Sequence, residues 1–167
     1  MLQAKTYLKP TKDKHLLALA KKIDKHVAKT NSLRADWIRL DLNQLVYDDW
    51  HQYIKDLEGT YVRNVVYRSD FIELIIIIWS GHSQTPVHDH ASGGCWIKVL
   101  SGIIQEKRYD LSLAPTKTTI IKQDGMCYID NSIGYHKIIN SENVPVCSLH
   151  LYAPPDYKPN CWPEDTL

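Results

Sequence analysis

The chain has no apolar run long enough for a membrane span. Its longest, Leu74 to Trp79, falls far short of the roughly 20 residues that a spanning helix needs, and it reads as a buried strand. Nor is there an excess of either charge. With 20 Lys and Arg against 19 Asp and Glu, a net +1, and no long basic block, the electrostatic footprint of a nucleic-acid binder or an anionic-membrane binder is missing. A small polar substrate suits the chain better. Its four cysteines, Cys95, Cys127, Cys147 and Cys161, contain no CxxC pair, which excludes a zinc ribbon and a thioredoxin-like motif; they read as reduced thiols. The start lacks the apolar core and small-residue cleavage site of a secretory signal, so a cytoplasmic location is expected. Internal repeats and low-complexity segments are also missing.

At 167 residues the chain is expected to form a single domain, large enough to bury a core without metal or disulfide staples. Any bound metal is then functional rather than structural. A monomer is expected. Residues 1–59 read as helical. From His15 to Lys29, Leu16, Leu17, Leu19, Ala20, Ile23 and Val27 recur at threes and fours opposite lysines, an amphipathic helix that Asp13 can cap. Further helices are expected over Asp36–Asn43 and Tyr47–Leu57, the latter closing at Gly59. His15, His26 and His51 are expected to be exposed or partly packed.

Residues 60–155 change texture to short β-branched and aromatic runs between turn formers. Strands are expected at Tyr61–Arg68, Phe71–Ser80, Val87–His90, Gly94–Leu100, Ile103–Tyr109, Thr116–Ile121, Met126–Ile129, His136–Asn140 and Val146–Tyr152. Many short strands at regular spacing indicate an antiparallel sandwich or barrel. Residues 156–167 read as an irregular strap across it.

Three groups of residues could carry chemistry. His88 and His90 share one face if the chain is extended there, a metal-binding spacing for a strand; an HxH also arises by chance among eight histidines. Asp89 points the other way and reads as structural. The best third ligand is His136, which enters a strand after a turn that Gly134 makes possible. In Ser148-Leu149-His150-Leu151-Tyr152 the polar residues share one face and the leucines the other. Either the polar face lines the interior or it meets solvent, the commoner case for a strand taken alone. Tyr61 and Arg63 carry the same two alternatives.

These blocks resemble the cysteine dioxygenases of the cupin superfamily. The resemblance runs from Tyr61 to Pro155 through Tyr61-Val62-Arg63-Asn64, His88-Asp89-His90 with Cys95 five residues on, Ser132-Ile133-Gly134-Tyr135-His136, and Ser148 to Pro155. Trp79 ahead of Gly81-His82 also fits. It implies a mainly β fold, a jelly-roll-like cupin barrel of antiparallel strands with the helical segment packed outside. It further implies Fe(2+) held by His88, His90 and His136, with Cys95 where cupins commonly place a glutamate ligand. Three neutral ligands leave the full divalent charge to attract a thiolate.

The same resemblance implies oxidation of L-cysteine by O2 to cysteine sulfinate. Arg63 would bind the substrate carboxylate, assisted by Tyr61 and Tyr152, while His150, backed by Ser148, orients the Tyr152 hydroxyl. A protein-derived thioether between Cys95 and Tyr152 is implied as well. Two departures stand out: Gly94 occupies a position where histidine is common in animal members, and the helices match loosely. Two other readings stay open, a dioxygenase for 3-mercaptopropionate or another small thiol, and a cupin that binds a metal or small ligand without turnover.

Overall fold

The computed structural model describes residues 4–54 and 60–163. Helix α1 (Lys14–Thr30) is capped by Asp13, whose carboxylate accepts from the Leu16 amide at 2.6 Å, and buries Leu16, Ala20, Ile23 and Val27. Helix α2 (Asp36–Gln44) buries Ile38 and Leu42. A third α-helix was expected over Tyr47–Leu57, yet only a 3-10 turn forms, over Asp49–Tyr53. Tyr47 and Tyr53 are both buried with their hydroxyls 3.3 Å apart, whereas residues six apart on an α-helix would lie roughly 120° from one another around its axis. Residues 55–59, including Leu57 and Gly59, lie outside the described residues. His15 and His51 are exposed and His26 is half-buried. Among the described residues no helix is long and apolar enough to cross a membrane.

Among the described residues there are eleven strands, nine of which follow the sequence pattern closely. They are β1 (Lys5–Leu8), β2 (Tyr61–Arg68), β3 (Glu73–Trp79), β4 (Val87–His88), β5 (Gly94–Ser101), β6 (Ile103–Tyr109), β7 (Pro115–Lys122), β8 (Met126–Ile129), β9 (Tyr135–Ile139), β10 (Val146–Ala153) and β11 (Cys161–Trp162). They form a six-stranded sheet, in order β1-β2-β3-β10-β5-β8, and a five-stranded sheet, in order β11-β4-β9-β6-β7. The expected barrel is therefore built as two separate sheets rather than one closed ring. All pairings are antiparallel except β1 with β2, which is parallel.

Two strands had no signal in the sequence. β1 is exposed throughout, so it shows no apolar alternation, and β11 is a two-residue pairing within the strap. Strand β3 explains the long apolar run, because both of its faces are covered. Leu74, Ile76 and Ile78 pack with the helices, whereas Ile75, Ile77 and Trp79 belong to the core between the sheets.

β10 obeys the same alternation with a different inner face. Leu149 and Leu151 join the helix-side core, each contributing about 1.5–3 kcal/mol by burial. Ser148, His150 and Tyr152 must then point between the sheets. The two alternatives for this strand thus resolve to an interior polar face.

Candidate metal centre and cavity

His88 ends β4 and pairs in register with His136 on β9. His90 lies two residues on, beyond the ladder. The strand is thus shorter than the HxH spacing implies, and the three imidazoles nevertheless converge. One ligand nitrogen from each lies within 4.8 Å of the others, with ring centroids 4.5 to 5.3 Å apart.

Each ring has its own surroundings. His88 Nδ1 donates to the Pro86 carbonyl at 3.0 Å, which leaves Nε2 with a lone pair. His136 Nδ1 donates to Glu106 Oε1 at 2.9 Å and is freed at Nε2 in the same way. Both ring nitrogens of His90 are buried without a hydrogen-bond partner among the described residues. Burial pushes all three below the ordinary histidine pKa, with mutual repulsion adding to it at His90 and His136. The rings are neutral at neutral pH, the form that ligates.

Three neutral imidazoles with uncommitted nitrogens, two of them orphaned in the interior, fit a first-row transition metal such as iron. Gly134 shapes the approach to His136. It sits at φ +131°, and a Cβ there would run into the Tyr109 carbonyl.

Beside the histidines lies a cavity of about 70 Å³ lined by Tyr61, Arg63, Ile77, Trp79, Thr85, Pro86, His88, Ile138, His150, Tyr152, Pro159 and Cys161. Arg63 and Tyr61 therefore face inward. The guanidinium carbon stands 5.6 Å from the Tyr152 ring centroid, and among the described residues no carboxylate pairs with Arg63. Its charge reaches His88, His150, Tyr61, Cys95 and Tyr152, opposing protonation of the first two and favouring ionisation of the others.

A hydrogen-bonded chain runs along β10. Trp79 Nε1 donates to Ser148 Oγ at 2.8 Å, Ser148 Oγ lies 2.9 Å from His150 Nε2, and His150 Nδ1 lies 3.0 Å from the Tyr152 hydroxyl. Because Trp79 only donates, Ser148 always accepts one bond. The rest can run in either sense, Ser148 to His150 to Tyr152 or the reverse. Cys95 is the cross-strand partner of Tyr152. Burial raises the Cys95 thiol and the Tyr152 phenol above their usual ranges, so both are protonated at neutral pH.

Asp89 points away from the histidines, as its alternation requires. It accepts from Tyr157 Oη (2.9 Å), the Asn160 amide (2.8 Å) and Asn160 Nδ2 (2.7 Å), so it ties the strap to β4. Gly94 sits at φ +93°, and Tyr128 occupies the place where a side chain on it would lie.

Sequence reasoning missed Glu106 and its partner Arg108. Glu106 is 2% exposed, and besides His136 it accepts from Arg108 Nε at 2.9 Å. The available signal was its place two residues after Ile104 on one strand face, a carboxylate in line with a core position. Asn131, which bonds the His90 backbone, carried no such signal.

A sequence profile of the cysteine dioxygenase type I family matches residues 42–164. The chain is similar to cysteine dioxygenase type 1 of Danio rerio, at 30% identity over 116 residues, covering 64% of this chain and 58% of that protein. It is likewise similar to the protein of that name from Homo sapiens, 30% identical over 115 residues with the same coverage. The chain thus spans 58% of the length of these curated relatives.

Among solved structures, it is similar to a conserved Klebsiella pneumoniae protein with a double-stranded beta-helix domain. The TM-score is 0.57 at 16% identity, covering 71% of this chain and 91% of that one. A cupin superfamily protein from Desulfitobacterium hafniense gives a TM-score of 0.51 at 10% identity, covering 61% and 84%. At those identities the likeness concerns the fold alone.

Proposed function

The chain belongs to the cysteine dioxygenase type I family, and from that premise we propose that it oxidises L-cysteine with O2 to cysteine sulfinate at a mononuclear non-heme Fe(2+). The observation that carries this reading is the convergence of three neutral imidazoles, one of which, His88, lines a small cavity together with the Arg63 guanidinium, which no carboxylate pairs among the described residues. His88, His90 and His136 would hold the iron. When bound, the iron supplies the redox centre at which thiol and dioxygen meet, turning their encounter into a reaction between held neighbours.

The chain's own groups do the remaining work. Arg63 binds the substrate carboxylate by a charge-assisted pair, and Tyr61 and Tyr152 flank it. The Trp79–Ser148–His150 chain fixes the Tyr152 hydroxyl, which passes a proton between the substrate side of the cavity and His150 Nδ1. Ile77 and Ile138 line the cavity and keep it poor in water. Cys95, protonated by burial, does not compete with the substrate thiolate for the metal. Its cross-strand pairing with Tyr152 suits the thioether, in which sulfur bonds a ring carbon while the S–H and ring C–H hydrogens leave as two protons and two electrons, with dioxygen as the oxidant.

The test compares thiols. Arg63→Ala is expected to raise KM for L-cysteine about 10- to 100-fold, the equivalent of a lost charge-assisted contact of roughly 1.5–3 kcal/mol. Cysteamine, which lacks a carboxylate, is expected to be nearly unaffected. Equal effects on both would remove Arg63 from this role, and faster turnover of 3-mercaptopropionate than of cysteine by the unaltered protein would change the substrate.

A further inference from the structure

The three histidines are not held alike. His88 and His136 have their rings oriented through Nδ1 by Pro86 and Glu106, whereas neither ring nitrogen of His90 has a partner among the described residues. β4 also ends at His88, so no strand ladder fixes His90. One side chain substitutes for it. The His90 amide donates to Asn131 Oδ1 at 2.8 Å, and Asn131 Nδ2 donates to the His90 carbonyl at 2.9 Å. A single carboxamide thereby satisfies both backbone groups of His90, as a neighbouring strand would.

We propose that Asn131 is the positioning residue for His90, acting through its backbone to aim the imidazole at the point shared with His88 and His136. This rests on the three-histidine metal reading above. The loop that carries Asn131 leads directly into β9 and His136, so the clamp links the second ligand to the third.

That loop is itself anchored. Asp130 accepts from Arg34 Nη2 at 2.6 Å, from Tyr128 Oη at 2.9 Å, and from the Ser132 amide and hydroxyl. Arg34 lies in the linker between α1 and α2. From the same linker Leu33 donates to the Gly93 carbonyl and accepts from Trp96 Nε1, both at 2.9 Å. The linker therefore grips the loop after His90 and the loop before His136 together. Asn131 is exposed and supplies no core packing, which makes positioning separable from stability.

The experiment titrates metal-free protein with cobalt(II) and reads the visible spectrum. Asn131→Ala is expected to weaken cobalt binding about tenfold or more, the usual cost of losing a partner that orients a ligand, and to alter the spectrum. Its thermal midpoint without metal should match that of Ile133→Ala, a change at an exposed side chain of the same loop that leaves the His90 clamp and its anchors intact and keeps wild-type affinity. Asn131→Gln keeps the amide but displaces it by one methylene, and it should show the same loss while folding normally. Wild-type affinity and spectrum in either folded Asn131 variant would overturn the proposal alone. Failure of the wild-type protein to take up cobalt would instead overturn the metal reading, and the proposal with it.

Discussion

Glu106 decides more about the centre than its place in the sequence suggests. It is a buried carboxylate that stands behind His136, and it is neutralised in turn by Arg108. It holds the His136 proton on Nδ1 and so presents Nε2. Glu106→Gln is expected to lower metal affinity about 10- to 100-fold, measured by competition with a chelator of known affinity. The same burial makes stability depend on pH. His90, His136 and His150 have folded-state pKa values below the ordinary 6.5. Above 6.5 both folded and unfolded chains hold these rings neutral, so this contribution to stability is fully present. Below 6.5 the unfolded chain takes up protons that the folded chain refuses, so stability falls as pH falls. The loss is up to about 1.4 kcal/mol per pH unit for each such ring. Denaturant melts of metal-free protein between pH 8 and 5 should show a declining midpoint, and a flat profile would contradict the burial of neutral histidines.

Strand β10 sets the chemistry of the interior, and the strap encloses it. The alternation of Ser148, His150 and Tyr152 with leucines was readable from sequence, but which face was interior was not. That choice depends on the helices covering the leucine face, a tertiary fact. Helix α1 and the nine expected strands were legible because periodicity marks any element with one covered face. β1 was not, because its residues are exposed throughout, and the 3-10 turn replaces the expected helix where Tyr47 and Tyr53 converge on one buried contact. β11 exists because Asp89 holds the strap against β4, where Cys161 pairs with His88. Asp89→Ala removes the acceptor for three donors at once. It should destabilise the protein by roughly 1–3 kcal/mol and speed proteolytic cleavage around residues 156–160. Unchanged cleavage would show that the strap is held by other contacts.

Over the whole molecule, the helices and the two sheets divide their tasks. α1 and α2 cover the outer face of the six-stranded sheet, and their linker reaches around to the loop after His90 and the loop before His136. The six-stranded sheet brings Arg63, His150 and Tyr152 to the cavity, and the five-stranded sheet brings His88 with His136 paired beside it. Most of these residues could be named from sequence, because metal and carboxylate chemistry restrict residue type and spacing. Glu106 showed only as a carboxylate in line with a core position and Asn131 not at all, because their role is defined by distant partners: Glu106 bonds a ring on another strand and Asn131 bonds backbone. The proposed activity needs both sheets to deliver their groups to one point. The most direct measurement loads the protein with iron, supplies L-cysteine and isotopically labelled dioxygen, and follows oxygen uptake together with product mass. One dioxygen consumed per cysteine, with both labelled atoms in cysteine sulfinate, is the expected result. Fully metallated protein that takes up no oxygen, or that yields cystine without label, would contradict it.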